Sequence, residues 1–442
     1  MPDAGSTQLH ALRVTFAVVA FVVALVAAPT VTGAPPVTIP IGLSDHTCIV
    51  VNDGRVECWG PNADGQLGDG TTTDRATPVF IAGLTNVRTV TAGDRFSCAL
   101  TTAGLVSCWG ANDLGQLGRS GGASSSSPLM VDGLPGGIVG LAARGEHSCV
   151  LTDGGRVACW GWNQFGQLGD GTTIDSTSPV EVGDVAGGTI GIAVGGDHTC
   201  ALSDAGKMRC WGWNKFGQLG DGTTTNRSTP IDVASLPDGI VAIAAGGAHS
   251  CAITAPGGVS CWGRNTVGQL GDGTTTDHPT PVAVNGLTSG IVALALGGNH
   301  TCALTSVGGV RCIGANFAGQ LGDGTTIASV GPVEVGRLPG TIDAIAAGYF
   351  HTCGVTHAGG LMCWGANDVG QLGDGTLTDR SSPVDVRNAD GTALIPIGTG
   401  ADRSAGLPPQ ALLAAVAGVI LFLGSVAALL LRRRSDRTGR RA

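Results

Sequence analysis

Short apolar runs bounded by glycine and turn residues recur along most of the chain, and the third copy shows the pattern clearly. Residues 147–152 (HSCVLT) and 156–161 (RVACWG) predict two strands, joined by an Asp-Gly-Gly turn. A glycine-rich loop (GQLGDGTT) follows, and then come a short extended segment at 178–182 and a β-rich apolar run at 188–196. The pattern therefore predicts four strands in each copy.

The copies follow one another at a nearly constant spacing, which the cysteines mark. Fourteen cysteines form seven pairs, and the members of each pair lie ten positions apart: Cys48 and Cys58, Cys98 and Cys108, Cys149 and Cys159, Cys200 and Cys210, Cys251 and Cys261, Cys302 and Cys312, and Cys353 and Cys363. A period near 50 residues is typical of repeat folds. Seven copies of four strands predict an all-β chain of about 28 strands, and a radial array of such units is a seven-bladed β-propeller.

The cysteine spacing also predicts disulfides. Cys149 and Cys159 are equidistant from the turn between their strands, so they should oppose each other at a Cα distance of about 4.5–5.5 Å. This register favours one disulfide within each hairpin and leaves pairing between copies open. A dense, even cysteine set indicates an oxidising compartment.

One strand type is present in surplus. The segment that precedes a hairpin occurs eight times, from 37–42 (VTIPIG) to 393–398 (ALIPIG), although there are seven hairpins. No cysteine follows the last copy, where Ser404 stands instead. We expect this extra strand to complete a blade begun at the other terminus and so to close the ring.

The two ends of the chain predict export and a membrane anchor. Residues 14–28 form an apolar run behind Arg13, which indicates a signal peptide over 1–34, with an uncleaved anchor as the alternative. The propeller should occupy 35–404, followed by a linker at 405–410. Residues 411–431 are long and apolar enough to span a bilayer, and the arginine-rich tail 432–442 should stay in the cytoplasm.

Charge narrows the range of partners. The chain carries a net charge of −9 in spite of the six arginines in its tail, so the predicted propeller is acidic. Nucleic-acid binding depends on clustered basic residues, and we expect none here. Only two of the 24 basic residues are lysines, Lys207 and Lys215, which indicates GC-rich codon usage and a bacterial source.

The repeated string GxVxCWGxNxxGQLGDGTT, preceded by GGxHxCAL, resembles the repeat of the regulator of chromosome condensation family. The resemblance covers residues 37–404, about four fifths of the chain. It implies a seven-bladed propeller and leaves the function open, because members include a nuclear nucleotide-exchange factor, a plant ultraviolet receptor and a secreted bacterial β-lactamase inhibitor. The exported, disulfide-bearing chain is most similar in type to the secreted bacterial members.

Residues that recur once in each blade indicate architecture. Six histidines stand two positions before a cysteine: His46, His147, His198, His249, His300 and His351. With at most one in each blade, they should form hydrogen bonds within the fold rather than hold a metal. Six aspartates open Asp-Gly-Thr turns, where a carboxylate can accept from backbone N–H groups: Asp69, Asp170, Asp221, Asp272, Asp323 and Asp374.

Residues that differ between blades are better candidates for binding. Blades three and four share the string WGWNxFGQLG, which places Trp162, Phe165, Trp213 and Phe216 in equivalent loops beside Lys215 and Arg264. Tryptophan, other aromatic residues and arginine are frequent anchors of protein interfaces. The alternatives are that the two phenylalanines fill gaps between blades and that the two tryptophans are packing residues.

The sequence contains no evident catalytic group, cofactor motif or metal-ligand spacing. We therefore expect a monomeric propeller, tethered to the cell membrane outside the cytoplasm, that binds an extracellular protein or a cell-wall component. The alternatives are an enzyme with a site in the central channel and a secreted inhibitor.

The predicted anchor can be tested by truncation. A chain that ends before Ala411 should be released into the medium, because it lacks the apolar span, whereas the full chain should stay with the membrane fraction. Immunoblots of medium and membrane fractions measure the distribution. Full-length protein found free in the medium would show that residues 411–431 do not anchor it.

Overall fold

The computed structural model describes residues 41–51, 54–185 and 188–394, in which 28 strands form seven antiparallel sheets of four strands. Blade one contains β1 (Ile41–Leu43), β2 (Thr47–Val50), β3 (Val56–Gly60) and β4 (Arg75–Phe80). Blade two contains β5 (Val87–Ala92), β6 (Phe96–Thr101), β7 (Val106–Gly110) and β8 (Ser125–Met130). Blade three contains β9 (Ile138–Arg144), β10 (His147–Thr152), β11 (Val157–Gly161) and β12 (Ser176–Glu181). Blade four contains β13 (Thr189–Val194), β14 (His198–Ser203), β15 (Met208–Gly212) and β16 (Arg227–Asp232). Blade five contains β17 (Ile240–Ala245), β18 (His249–Thr254), β19 (Val259–Gly263) and β20 (His278–Ala283). Blade six contains β21 (Ile291–Leu296), β22 (His300–Thr305), β23 (Val310–Gly314) and β24 (Ser329–Glu334). Blade seven contains β25 (Ile342–Ala347), β26 (His351–Thr356), β27 (Leu361–Gly365) and β28 (Arg380–Asp385).

The four strands of a blade run in chain order from the inside of the ring to the outside. The first strand of each blade contacts the first strands of its neighbours, and β25 of blade seven contacts β1 of blade one. The second and third strands are almost wholly buried, since neighbouring blades cover both faces of the sheet. The fourth strand alternates between half-buried and exposed residues, as an edge strand should.

The alternating strand directions give the ring two faces. The upper face carries the turns between first and second strands and the loops between third and fourth strands. The lower face carries the hairpin turns and the connections between blades. The structure therefore confirms the predicted seven-bladed all-β propeller.

All seven predicted hairpin disulfides are present, and pairing between blades, which the sequence left open, does not occur. In blade three Cys149 lies directly opposite Cys159 and is bonded to it. Its Cα distance of 4.1 Å is slightly shorter than the 4.5–5.5 Å that the register predicts. The other six bonds have the same sequence separation and the same Cα distance. They join Cys48 to Cys58, Cys98 to Cys108, Cys200 to Cys210, Cys251 to Cys261, Cys302 to Cys312, and Cys353 to Cys363. Each disulfide thus ties the second strand of its blade to the third.

The predicted use of the surplus strand is wrong. Blade one takes its inner strand from its own side of the chain, since Ile41–Leu43 pairs with β2. At the other end, Ala393 pairs with Arg387, and Leu394 accepts from the backbone N–H of Leu361. The described part of the last copy therefore lies against blade seven.

The predicted signal peptide, linker, membrane span and tail lie outside the described residues. No helix within the described ranges is long and apolar enough to cross a membrane.

Hydrogen bonds between side chains and one carbonyl hold the blades together. At the boundary between blades four and five, His198 Nε2 lies 2.8 Å from Ser250 Oγ. The Ser250 hydroxyl in turn donates to the backbone carbonyl of Gln218 over 2.9 Å. Trp262 Nε1 donates to the same carbonyl over 3.0 Å. We call this set of contacts the seam relay.

The seam relay is repeated around the ring. The histidine and hydroxyl partners are His46 and Ser97, His147 and Thr199, His198 and Ser250, His249 and Thr301, His300 and Thr352, and His351 and Thr47. The last pair joins blade seven to blade one, and the Thr47 hydroxyl donates to the carbonyl of Gln371. These contacts close the ring and confirm the structural interpretation of the histidines.

Two seams depart from this pattern. Phe96 replaces the histidine between blades two and three, where Trp160 Nε1 still donates to the carbonyl of Gln116. Ile313 replaces the tryptophan between blades five and six. At that seam the Thr301 hydroxyl donates to the carbonyl of Gln269 over 2.9 Å without an indole beside it.

Removal of one hydroxyl should therefore weaken the seam between blades five and six. Thr301→Val keeps the side-chain shape but leaves His249 Nε2 and the Gln269 carbonyl without their buried partner. We expect a loss of about 2 kcal/mol in the free energy of unfolding. Urea denaturation followed by tryptophan fluorescence measures this value. The exposed Thr173→Val is the matched control, and equal stabilities for the two variants would contradict the relay's role.

The histidines also predict acid sensitivity. Burial lowers the pKa of His46, His147, His198, His300 and His351 to about 3, and lowers that of His249 well below its usual value. The unfolded chain therefore binds more protons than the folded chain below pH 6.5, so the stability contributed by neutral histidines is lost as the pH falls from 6.5 towards 3. Asp45 and Asp197 oppose this, because desolvation raises the pKa of each to about 6.

The six histidines outnumber Asp45, Asp197 and Glu146, the acids whose pKa is raised in the folded chain, so unfolding should on balance take up protons below pH 6.5. The free energy of unfolding should therefore fall between pH 7 and pH 5, and denaturation curves over this range measure it. His249→Gln removes one buried neutral imidazole and should make this pH dependence less steep. A stability that is constant from pH 7 to pH 5 would contradict the buried neutral histidines.

Candidate functional site

The loops between third and fourth strands are fixed by a buried asparagine. In blade three Asn163 Oδ1 accepts from the backbone N–H of Leu168 over 2.9 Å. Its Nδ2 donates to the carbonyls of Thr172 and Ile174 over 3.3 and 3.1 Å. The equivalent asparagine, Asn214, holds the loop of blade four. Residues that flank the asparagine are therefore held in set positions on the upper face.

A glycine in the same loop lets neighbouring blades approach closely. Gly166 has a φ of +85°, and a Cβ there would lie 2.4 Å from Ser228 Cα of blade four. Only glycine fits both conditions. The loop of blade three is thereby pressed against the outer strand of blade four.

The Asp-Gly-Thr turns behave as predicted, since Asp170 Oδ1 accepts from the backbone N–H of Thr172.

The six predicted binding residues meet in one surface on the upper face, which we call the aromatic ladder: Trp162, Phe165, Trp213, Lys215, Phe216 and Arg264. The ring centroids of Trp162 and Phe165 lie 5.3 Å apart, edge to face. Phe165 stacks on Trp213 of the next blade at 5.7 Å. Trp213 meets Phe216 edge to face at 5.3 Å. The four rings thus form an unbroken row across blades three and four.

Two cations end the row, Lys215 of blade four and Arg264 of blade five. Arg264 Cζ lies 5.2 Å from the centroid of Phe216, and Lys215 Nζ lies 5.8 Å from it. Both distances are within the range of a cation–π interaction. Lys215 is exposed, and the aromatic residues and Arg264 are half-buried. Phe165 therefore packs between the two tryptophans and Phe216 between Trp213 and Arg264, and both phenylalanines stay half-buried.

A charged cluster on the same face was not predicted. It lies at the channel mouth, which we define by Asp45, Asp94, Arg144, Asp197 and Tyr349, all at or just after the end of an inner strand. The two positions before the blade histidine, or before Phe96 in blade two, hold Asp45, Asp94 and Asp197 in blades one, two and four, Gly with Ala or Asn in blades five and six, and Tyr349 with Phe350 in blade seven. That variation between blades is the signal that the sequence reasoning missed.

Polar side chains join blades two and three at the seam where Phe96 stands in place of a histidine. Arg95 Nε donates to Glu146 Oε1 of blade three over 3.0 Å, and its Nη2 donates to Asp113 over 2.9 Å. Gln116 Nε2 donates to Glu146 Oε2 over 2.7 Å. These contacts join blades two and three where Phe96 has replaced a histidine. Glu146 and Arg95 are thus engaged in structure.

A second aromatic group lies in blades six and seven. Phe317 occupies the loop position equivalent to Lys215, and its ring lies 5.3 Å from that of Phe350. Phe350 also contacts Tyr349 at 5.0 Å. Phe317 is 63% exposed. This group has three rings in contact and no tryptophan, whereas the aromatic ladder has four rings in a row, two of them tryptophans.

Comparisons with protein families identify the repeat. The profile of the RCC1-like domain matches residues 184–410, about half of the chain. Profiles of the regulator of chromosome condensation (RCC1) repeat match residues 53–100 and 154–202, and, in a second form, 87–116 and 138–167. Together these matches cover most of the residues that form the blades.

Two relatives show how far the similarity extends. The chain is 33% identical to the ultraviolet-B receptor UVR8 of Arabidopsis thaliana over 379 residues, which are 83% of this chain and 86% of the receptor. It is 41% identical over 201 residues to the human probable E3 ubiquitin-protein ligase HERC4, covering 44% of this chain. The chain spans only 19% of that ligase.

Solved structures have the same fold. Prp20p of Saccharomyces cerevisiae superposes with a TM-score of 0.68 at 23% identity, covering 82% of this chain and 91% of Prp20p. Human WBSCR16 superposes with a TM-score of 0.68 at 25% identity, covering 78% and 98%. These relatives come from plants, mammals and yeast. The predicted bacterial source and the similarity to secreted inhibitors therefore stay predictions.

Proposed function

Because the chain belongs to the regulator of chromosome condensation (RCC1) repeat family, we propose that it is a binding propeller that recognises a protein partner through the aromatic ladder. It has no catalysis of its own in this proposal. Its partner lies outside the cytoplasm, and the apolar segment 411–431 tethers it to the membrane.

The aromatic ladder is the observation that carries the proposal. Its four rings are half-buried and in mutual contact, so little side-chain freedom is lost when a partner covers them. Tryptophan and arginine dominate the residues whose truncation weakens protein interfaces most. The flanking Lys215 and Arg264 add donors at the edge of the apolar surface. This combination favours a protein partner with an apolar segment and acceptor groups beside it.

Named relatives support a binding role. UVR8 is described as a receptor. Prp20p has been crystallised with Kap60, and its binding to Gsp1p and histones is described. The ligase HERC4 matches this chain over less than a fifth of its own length, so that similarity carries no catalytic activity over to this chain. Protein binding is the property that we extend to this chain.

The disulfides support the proposed location outside the cytoplasm. Seven disulfides are typical of proteins that mature outside the cytoplasm.

The partner can be found by cross-linking from the two lysine positions, which lie on opposite faces. A photoreactive residue at position 215 should capture one protein in intact cells, and the same residue at position 207, on a lower-face hairpin turn, should not. The captured protein is then purified for affinity measurements. Capture from position 207 alone, or capture of cell-wall glycan alone, would contradict the proposal.

The affinity of the purified partner tests the residues. Trp162→Ala with Trp213→Ala should weaken binding by at least about 100-fold, since each interfacial tryptophan is worth roughly 2 kcal/mol. The melting temperature should change little, because both tryptophans are half-buried and neither belongs to the seam relay. Phe317→Ala, on the same face but outside the aromatic ladder, is the control. A large fall in melting temperature with unchanged affinity would show that both tryptophans only pack the fold.

A further inference from the structure

The channel mouth contains three carboxyl groups that are not neutralised by ion pairs. Asp45, Asp94 and Asp197 belong to the turns that follow the inner strands of blades one, two and four. Asp94 accepts from the Ser44 hydroxyl over 2.9 Å, and none of the three lies within ion-pair distance of a described basic residue. The charge of Asp94 adds to the effect of desolvation in raising the pKa of both Asp45 and Asp197. Asp94 is therefore the acid that links the other two, since its charge acts on both of them.

A buried arginine lies at the channel mouth without pairing with the acids. Arg144, at the end of β9, is 6% exposed. Its Nη1 donates to the carbonyl of Leu296 over 2.7 Å and so reaches from blade three to blade six. Its Nε and Nη2 are buried and have no acceptor among the described residues. The charges of Asp94 and Asp45 act on Arg144, yet neither carboxylate accepts from it.

Arg95 shows that this face forms ion pairs where the geometry allows. Its guanidinium binds both Asp113 and Glu146 within 3.0 Å. At the channel mouth, in contrast, unpaired carboxylates and unused guanidinium donors belong to the same small region. A ligand that satisfies both must carry a cation for the acids and an oxygen acceptor for Arg144.

We infer that the channel mouth binds a basic segment of the protein that docks on the aromatic ladder. The cationic side chain of a lysine or arginine lies against Asp94, where Asp45 and Asp197 add negative charge, and a neighbouring peptide carbonyl accepts from Arg144. This inference rests on the proposed function, because it assigns chemistry to the same partner. Asp197 belongs to blade four, as does Trp213, and the Trp213 backbone N–H donates to the Asp197 carbonyl over 2.8 Å. One peptide segment can therefore reach both sites.

Other ligand chemistries fit less well. No three His, Cys, Asp or Glu side chains in the described ranges lie close enough together to hold a metal ion. An anion would meet Arg144 but would also face the three acids. A peptide with a basic side chain supplies both required groups and is flexible enough to reach them.

The test uses a small probe, so it does not depend on the natural partner. Acetyl-arginine amide carries the cation and two carbonyls, and acetyl-citrulline amide has nearly the same shape without the charge. Calorimetry with the purified full-length protein should give binding of the arginine probe that is about tenfold tighter or more than that of the citrulline probe. The ¹⁵Nε–¹H resonance of Arg144 should shift as the arginine probe is added. Equal affinities, or an Arg144 resonance that stays unchanged, would overturn the inference.

Variants locate the site. Asp45→Asn with Asp197→Asn should weaken binding of the arginine probe by about tenfold or more. Asp45 is exposed and Asp197 is half-buried, so neutral amides of the same size should leave the fold intact. Asp153→Asn with Asp204→Asn removes the same charge from exposed lower-face turns and should have no effect. Loss of probe binding in both pairs would show nonspecific attraction to an acidic protein, and loss in neither pair would place the probe elsewhere. Either result would overturn the inference.

The two proposals fail separately. Trp162→Ala with Trp213→Ala should leave binding of the arginine probe unchanged, since the probe is too small to cover the aromatic ladder. If the tryptophan variants lost the probe as well, the cation would bind at the ladder, and the site at the channel mouth would be wrong. Acetyl-glycine carries a carboxylate and no cation. If it bound more tightly than acetyl-arginine amide, Arg144 would define an anion site, and the inference would be wrong.

Discussion

The hydrogen bonds that converge on one glutamine carbonyl at each seam are the interactions on which the rest of the structure depends. A four-stranded blade has two apolar faces and cannot bury either alone, so each blade needs its neighbours. Polar groups buried between the blades must find partners there. The histidine Nε2 pairs with the serine or threonine hydroxyl, the hydroxyl and the indole donate to the carbonyl, and the last such set joins blade seven to blade one. The disulfides stiffen each hairpin but do not cross a seam.

This arrangement separates scaffold from binding surface. Side chains used at the seams recur in almost every blade, and those that vary stand on loops whose backbone is already fixed by a buried asparagine. Variation on the upper face therefore costs little stability, and two kinds of site can lie close together on it. The aromatic ladder provides apolar area at blades three and four. The channel mouth provides charge nearer the axis, with Asp197 adjoining Trp213 through the backbone.

Local spacing was enough to predict much of this fold. The hairpin, its disulfide and the four strands of a copy all lie within about 50 residues, and the six ladder residues stand in neighbouring copies. The seam relay could not be derived in detail, because its members come from different blades; Thr47 and His351 are 304 residues apart. The channel mouth was missed for the same reason, since each of its acids comes from a separate turn. The closing strand was predicted wrongly because an eighth copy resembles a first strand, whereas Ile41–Leu43 already fills that place.

The central claim, that repeated side chains build the ring and unrepeated ones form the binding face, is tested most directly by the eight tryptophans. Six of them, Trp59, Trp109, Trp160, Trp211, Trp262 and Trp364, are fully buried and donate Nε1–H to a carbonyl of the preceding blade. Trp162 and Trp213 are half-buried on the upper face. Hydrogen exchange of the ¹⁵N-labelled indoles, followed by NMR on the purified full-length protein, distinguishes the two groups. The account predicts six indoles that exchange slowly and two, Trp162 and Trp213, that exchange fast. Slow exchange at all eight, or fast exchange at any of the six seam indoles, would contradict it.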